Sequence, residues 1–359
     1  MAVTMKEIAR IAGVSQQAVS AAFNMKGTTK LSEERRQRIL QIAKNLNYTP
    51  NSAAQRLKGG ATKMIGVFGV SYVSVLQQSL LLDFSLILDK KGYSLITCYG
   101  RSEKAAARAV NEMIAKGIDG LIITTVENPL DNSTVPAIPH VFCPPGRAPK
   151  FDITVDRFSG AFEATEKLIA QGCRKFGFML PAVSNISVQP DCEKREGVEA
   201  ALRLHGLTLP DEAVIEIREY CGMASEMIHQ IQKLKLDAIL CSNDYVGSCL
   251  VSLLLRNGIR VPEDIKVTGF DGLLICDLCP VPLATVIQPN QLLAQKAVEI
   301  LLERIQHKTV KDPPRGISLK PYFYPSVSAG FENSRLENIN FISDTYSTLE
   351  LNWNLNKTP

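Results

Sequence analysis

Residues 3–24 read VTMKEIARIAGVSQQAVSAAFN, and their spacing sets the character of the N-terminus. Thr4-Met5-Lys6-Glu7 has the form of a capping box: the Thr4 hydroxyl can accept from the Glu7 amide while the Glu7 carboxylate reaches back. A helix is therefore expected from Met5, with Ile8, Ala9, Ile11 and Ala12 on one apolar face. Gly13 supplies the left-handed conformation that ends it, and Val14 follows as a core contact. Ser15 is an N-cap for a second helix from Gln16 to Phe23. In that helix Ala18, Val19, Ala22 and Phe23 are expected inward, leaving Gln16, Gln17, Ser20 and Ala21 outward. A third helix is expected after Ser32, in SEERRQRILQIAKNLNY, burying Ile39, Leu40, Ile42, Ala43 and Leu46. Three short helices, the first two joined by Ala-Gly-Val-Ser, read as a helix-turn-helix.

Charge supports this reading. Residues 1–60 carry ten Lys or Arg against three Glu, a surplus of seven, which leaves the rest of the chain at −3 of the overall +4. A basic head on a near-neutral body suits DNA binding, because neutralising phosphates releases counterions and supplies much of the nonspecific affinity.

The stretch quoted above, followed by LSEERRQRILQIAKNLNYTPNSAAQRLK (31–58), resembles the headpiece of the lactose/galactose-repressor (LacI/GalR) family. Three features carry the likeness in order and spacing: the helix-turn-helix, the NYTPN turn and the AxxL hinge. The resemblance implies that the second helix enters the major groove of operator DNA. Ser15 then contacts phosphate, Gln16 and Gln17 lie across base edges, and Ser20 and Asn24 help to fix docking. Glutamine can pair bidentately with adenine. Many members have Arg where this chain has Ala21, so a guanine contact is lost and Ala21 is free to meet a thymine methyl. The likeness also puts Thr4, Tyr48, Asn51, Ala54 and Lys58 on the DNA side. It makes residues 51–62 a hinge helix and linker whose Leu57 wedges into the minor groove.

From Lys63 onward short apolar runs (MIGVFGV, SLITCYG, GLIITTV, HVFC, KFGFML, AVIEI, AILCS and IKVTGFD) alternate with helical stretches such as 76–91, 103–116, 159–171 and 291–306. Such alternation argues for parallel sheets covered on both faces, and its repetition on either side of about residue 157 for two similar lobes. The segments TVDRFSGAFEATEKLIAQGCRKFGFM, AILCSNDYVGS, VPEDIKVTGFDG and PLATVIQPNQLLAQKAVEILL resemble the same family's effector-binding core, which has the α/β fold of periplasmic sugar-binding proteins. That likeness implies a body over 63–330, three chain crossings near residues 157, 287 and 320, a ligand cleft between the lobes, and a homodimer. Residues 331–359 form a tail of unassigned role, in which Leu349, Leu351, Trp353 and Leu355 alternate as in an edge strand.

Ligands of parallel α/β lobes sit beyond the carboxyl ends of strands, which selects Ser71, Tyr72, Arg101, Thr125, Asn243, Asp244, Asp271 and Gln288. Of these, Asn243, Asp271 and Gln288 fall where the family places polar ligand contacts, and their donors and acceptors suit a carbohydrate. Asn243-Asp244 also reads as a helix cap and Asp271 as a turn closer. The family's usual Arg before a Gly-aromatic pair is replaced here by Lys194 with Arg195 beside it, and its acid after the fourth strand by Pro144-Pro145. Either cation suits a carboxylate, phosphate or hydroxyl.

Composition narrows the function classes. At 359 residues and 45% hydrophobic content the chain suits two or three compact units. The N-terminal MAVTMKEIAR has no apolar signal stretch and no run approaches a membrane span, so a cytoplasmic protein is expected. The nine cysteines are unevenly spaced and read as reduced thiols. Cys276 and Cys279 form a CxxC without the further ligands of a zinc site, so no metal or cofactor is expected. The sequence has no GxGxxG, P-loop, GxSxG or HExxH motif, which argues against an enzyme. The alternative, a solute-binding protein without DNA function, calls for a secretion signal in place of the basic head.

Overall fold

The computed structural model describes residues 3–23, 31–46, 48, 61–69, 74–99, 103–125, 130, 136–181, 189–217, 224–310 and 313–332. The chain divides into two compact units between Thr62 and Lys63. In the first, α1 (Met5–Ala12) starts where the Thr4 hydroxyl accepts from the Glu7 amide at 3.4 Å and ends at Gly13, whose φ of +67° lets its N–H turn back to the Ala9 carbonyl. Next, α2 (Gln16–Phe23) is capped by Ser15, whose Oγ accepts from Ala18 N at 3.2 Å, and α3 (Glu33–Asn45) by Ser32. Ile8, Ala9, Ala12, Val19, Ala22, Ile39 and Ala43 form the buried centre. Ile11 departs from expectation and is 43% exposed. At 100° per residue the buried arc runs through Ile8, Ala12 and Ala9, and Ile11 falls off its edge.

The second unit contains two parallel sheets. The first has the order β2-β1-β3-β4, with β1 (Met64–Phe68), β2 (Ser94–Cys98), β3 (Gly120–Ile123) and β4 (His140–Phe142). Its helices are α4 (Val75–Lys90) and α5 (Glu103–Lys116). The second sheet has the order β7-β6-β8-β9 and uses β6 (Phe176–Pro181), β7 (Val214–Ile217), β8 (Ala238–Cys241) and β9 (Lys266–Thr268). Its helices are α6 (Arg157–Ala170), α7 (Gln189–Leu204), α8 (Ala224–Leu234), α9 (Asp244–Arg256) and the short α10 (Ile275–Leu278). Central strands GLII and AILC are buried at every residue, as a sheet covered on both faces requires. Each sheet has an apolar cluster on either side. Among the described residues no helix is long and apolar enough to cross a membrane.

Four strands of three residues each make the crossings between lobes. The chain leaves the first lobe through β5 (Ile153–Val155), whose Val155 packs there, and enters α6 of the second. It returns through β10 (Thr285–Ile287) into α11 (Asn290–His307), whose Leu293 to Leu301 face packs in the first lobe. The third crossing joins β11 (Ile317–Leu319), parallel to β5, to β12 (Tyr322–Tyr324), antiparallel to β10.

One buried carboxylate ties all three passages together on the first-lobe side. Asp152, immediately before β5, receives a two-pronged bond from Arg304 of α11, at 2.9 and 2.7 Å. It also accepts from Phe142 N at 2.9 Å and from Arg315 N, ahead of β11, at 3.2 Å. The Arg304 and Asp152 side chains are only 4% and 5% exposed. Removing one member of such a pair strands the other charge and typically costs about 3–5 kcal/mol. Arg304→Ala is therefore expected to lower the unfolding free energy of the body by about that amount, measured by urea titration. A loss below about 1 kcal/mol would show the pair to be dispensable.

Candidate functional site

On the head, the exposed start of α2 carries Gln16 and Gln17 side by side, while Ser20 and Ala21 one turn later are half-buried. The Ser15 hydroxyl is occupied with the cap, and Thr4 caps α1. Two contacts brace the far end of α2. Arg36 of α3 donates through Nε to the Ala22 carbonyl at 3.2 Å, and the Tyr48 ring lies 5.7 Å from that of Phe23. Tyr48 is thus half core, and burial pushes its hydroxyl pKa up. Asn24, Asn51, Ala54, Leu57 and Lys58 lie outside the described residues.

On the body, Ser71, Tyr72 and Arg101 lie outside the described residues, and Thr125 follows β3, half-buried. Asp271, Gln288 and Lys194 come together at the ends of β9, β10 and the start of α7. Gln288 Nε2 donates to Asp271 Oδ1 at 2.7 Å. Asp271 has a φ of +125°, a conformation that a non-glycine residue holds only when its surroundings dictate it. Lys194 Nζ donates to the Ser242 carbonyl and, at 3.2 Å, to Asp191, and lies 4.6 Å from the centre of the Phe270 ring.

Two of the expected residues do not join this group. Arg195 is turned about 100° from Lys194 by the helix and pairs outside with Glu199 at 2.6 Å and Asp211 at 3.1 Å. Asp244 has no exposed surface and is spent as a brace, accepting from the Thr285 hydroxyl and, at 2.7 Å, from Leu273 N. Asn243 takes the capping alternative, its Oδ1 accepting from Val246 N at 2.9 Å.

Three charged residues with no local signal in the sequence, Arg157, Glu193 and Arg147, also lie here. Arg157, at the first crossing, is buried and donates to the Val155 carbonyl at 3.1 Å. Burial lowers its pKa, opposed by the charges of Glu193, Asp271 and Asp191 around it. Glu193 is 7% exposed, and burial raises its pKa against the pull of Arg157 and Arg147. Gly197 permits the approach: a Cβ there would sit 3.1 Å from Phe162 N, so α7 closes onto α6 and brings Glu193 towards Arg157. A cavity of about 540 Å³ opens beside Glu193, lined by Arg147, Ala148 and Pro149 of the first lobe and Cys192, Glu193 and Glu196 of the second. Arg147 also pairs with Glu196 at 2.9 Å, joining the lobes at its rim. Among the described residues no group of His, Cys, Asp or Glu is placed to hold a metal.

Comparison with known proteins bears on both units. Residues 4–51 match the model of bacterial regulatory proteins of the lacI family, and residues 165–322 that of the periplasmic binding protein-like domain. The chain is 30% identical over 313 residues to the HTH-type transcriptional repressor PurR of Haemophilus influenzae (strain PittEE), covering 85% of this chain and 92% of that one. The chain belongs to the lacI family. The PurR of Photobacterium profundum is likewise 30% identical, over 317 residues, with the same coverage of 85% and 92%. The lac repressor dimer bound to operator and the anti-inducer ONPF superposes with a TM-score of 0.77 at 23% identity, covering 92% of this chain and 99% of that one. A CelR–cellobiose complex gives 0.63 at 21%, covering 91% and 99%. This lacI-family chain therefore has the expected fold, a helix-turn-helix head and a two-lobed periplasmic-binding-protein-like body. Its relatives are transcriptional repressors, which favours a DNA-binding regulator over an enzyme or a solute-binding protein without DNA function.

The buried carboxylates make the body sensitive to pH. Burial, with the neighbouring Asp271 charge, pushes the Asp244 pKa up to about 7, and burial pushes that of Asp271 to about 6. A raised carboxylate pKa favours the protonated folded form, so this stabilisation is complete below about pH 4 and is lost as pH rises through 6 and 7. Melting temperatures from pH 4.5 to 8 should fall less steeply for Asp244→Asn than for the unaltered chain. Equal slopes would show that Asp244 does not titrate in this window.

Proposed function

We propose that this chain acts as a homodimeric, cytoplasmic repressor whose two heads read a pseudo-palindromic operator and whose cleft takes a small carbohydrate effector. The observation that carries it is the capped, exposed start of α2, with Gln16 and Gln17 side by side on a head bearing a charge surplus of seven. In this reading residues 1–50 bind DNA, 51–62 form the hinge, 63–330 bind effector and dimerise, and 331–359 are a tail of no assigned role. Thr4 lies on the DNA side, Ser15 meets phosphate, Gln16 and Gln17 meet base edges, Ala21 meets a thymine methyl, and Ser20 and Asn24 help to fix docking. Tyr48, Asn51, Ala54 and Lys58 bind DNA as well, and Leu57 of the hinge enters the minor groove.

The effector is held by Lys194, Asp271 and Gln288, with Asn243 and Thr125 at strand ends and Ser71, Tyr72 and Arg101 from the first lobe. Its differing affinity for two lobe arrangements sets the operator affinity, in either direction. The relatives named above support the reading, since one is a repressor held on its operator with a ligand and another holds a disaccharide.

Selection of genomic fragments by the purified chain at several salt concentrations should return a shared pseudo-palindrome. On that sequence Gln17→Ala is expected to weaken binding by about 1–3 kcal/mol and to relax the base preference beneath it, with the salt slope unchanged. Binding without sequence preference at every salt would overturn the proposal.

A further inference from the structure

Three polar atoms in and beside the cleft are buried and have no hydrogen-bond partner among the described residues: Glu193 Oε1, Gln288 Oε1 and Ser242 Oγ. Their residues are 7%, 5% and 0% exposed. Buried polar atoms are nearly always satisfied, so each of these leaves room for a bond supplied from outside the described residues. Two of the three can only accept, because a carboxylate oxygen and an amide oxygen have no proton to give. The Gln288 amide is fixed in that sense by its donation to Asp271.

Among the described residues the nearby cations have already been matched. Lys194 is held by Ser242 O and Asp191, Arg147 by Glu196, and Arg157 lies in the combined field of Asp191, Glu193 and Asp271. Three carboxylates thus face the two buried cations Arg157 and Lys194. Among the described residues an anionic ligand would meet a surplus of like charge and orphaned acceptors, which repel it. A ligand rich in hydroxyls, or carrying an ammonium, meets what it needs. Glu193 has a particular place here, being common to the cavity and to the ionic cluster. It lies beside Arg147 of the opposite lobe and has a buried oxygen left for the ligand.

We infer that the cleft selects a neutral or amino-substituted polyol over any anionic analogue, and that Glu193 is the specificity-determining residue that receives a donor from it. This rests on the cleft being the effector site. The test uses the full chain and a panel of mono- and disaccharides and nucleosides, each in neutral, amino-substituted and phosphorylated or carboxylate form, followed by thermal shift and then calorimetry. Neutral or amino-substituted probes should bind at least tenfold more tightly than their anionic counterparts. In Glu193→Gln the preference for the amino-substituted over the anionic form of the same probe should fall at least tenfold, a change of ratio that a merely structural role would not produce. Glu193→Asp, which keeps the charge, should retain most of it.

Tighter binding of anionic probes, or an unchanged ratio in Glu193→Gln, overturns the inference. Loss of the same binding in Asp271→Ala would then leave the cleft itself standing as the site. Binding that survives Asp271→Ala, or silence across the panel at millimolar concentration, overturns the cleft reading and this inference with it.

Discussion

The body depends on the ion pair between Asp152 and Arg304. Each lobe is assembled from pieces of chain far apart in sequence, and the first lobe must hold three passages in register. Asp152 holds them at one point: it precedes β5, accepts both prongs of Arg304 from α11, and takes the Arg315 amide ahead of β11. A carboxylate buried in this way is sustained only by the number of donors turned on it. Arg304 in turn donates to the His140 and Pro313 carbonyls, so β4 and the approach to β11 share the same anchor. The second lobe is joined across the same passages by the antiparallel pair of β10 and β12.

With the passages fixed, the cleft follows from where charge is left at their ends. Arg157 lies just past β5 at the start of α6, and Asp271 and Gln288 flank β10, so the crossings themselves deliver the cluster. Helix α7 supplies Asp191, Glu193 and Lys194 within one turn, brought close by the absence of a side chain at Gly197. The result is a buried cluster of opposed charges in which each ionised group is tolerated because of the others. The strained backbone at Asp271 belongs to the same arrangement. Arg147 spans the rim from the first lobe and pairs with Glu196 of the second.

Much of this was legible in the sequence where the signal is local. The caps at Thr4, Ser15 and Ser32 set the head because a hydroxyl before a helix has one geometry available. The long helices 103–116 and 290–307 and the buried central strands were visible as runs of the right period. The crossing strands β5, β10, β11 and β12 were not, since three residues show no periodicity and their pairing is wholly long-range. Arg157 and Glu193 escaped for a related reason. Arg157 follows a strand too short to show a period, and Glu193 lies inside a helix, away from any strand end. Arg195 shows the converse limit: adjacency to Lys194 in sequence said nothing of the roughly 100° between them on the helix.

In the proposed reading the state of the cleft is read out as operator affinity. The most direct measurement is the dissociation constant of the full chain for its selected pseudo-palindrome, with and without a saturating probe from the carbohydrate panel. The predicted change is about 5- to 150-fold, the range of couplings near 1–3 kcal/mol. An operator affinity that stays the same while the probe is demonstrably bound would contradict it.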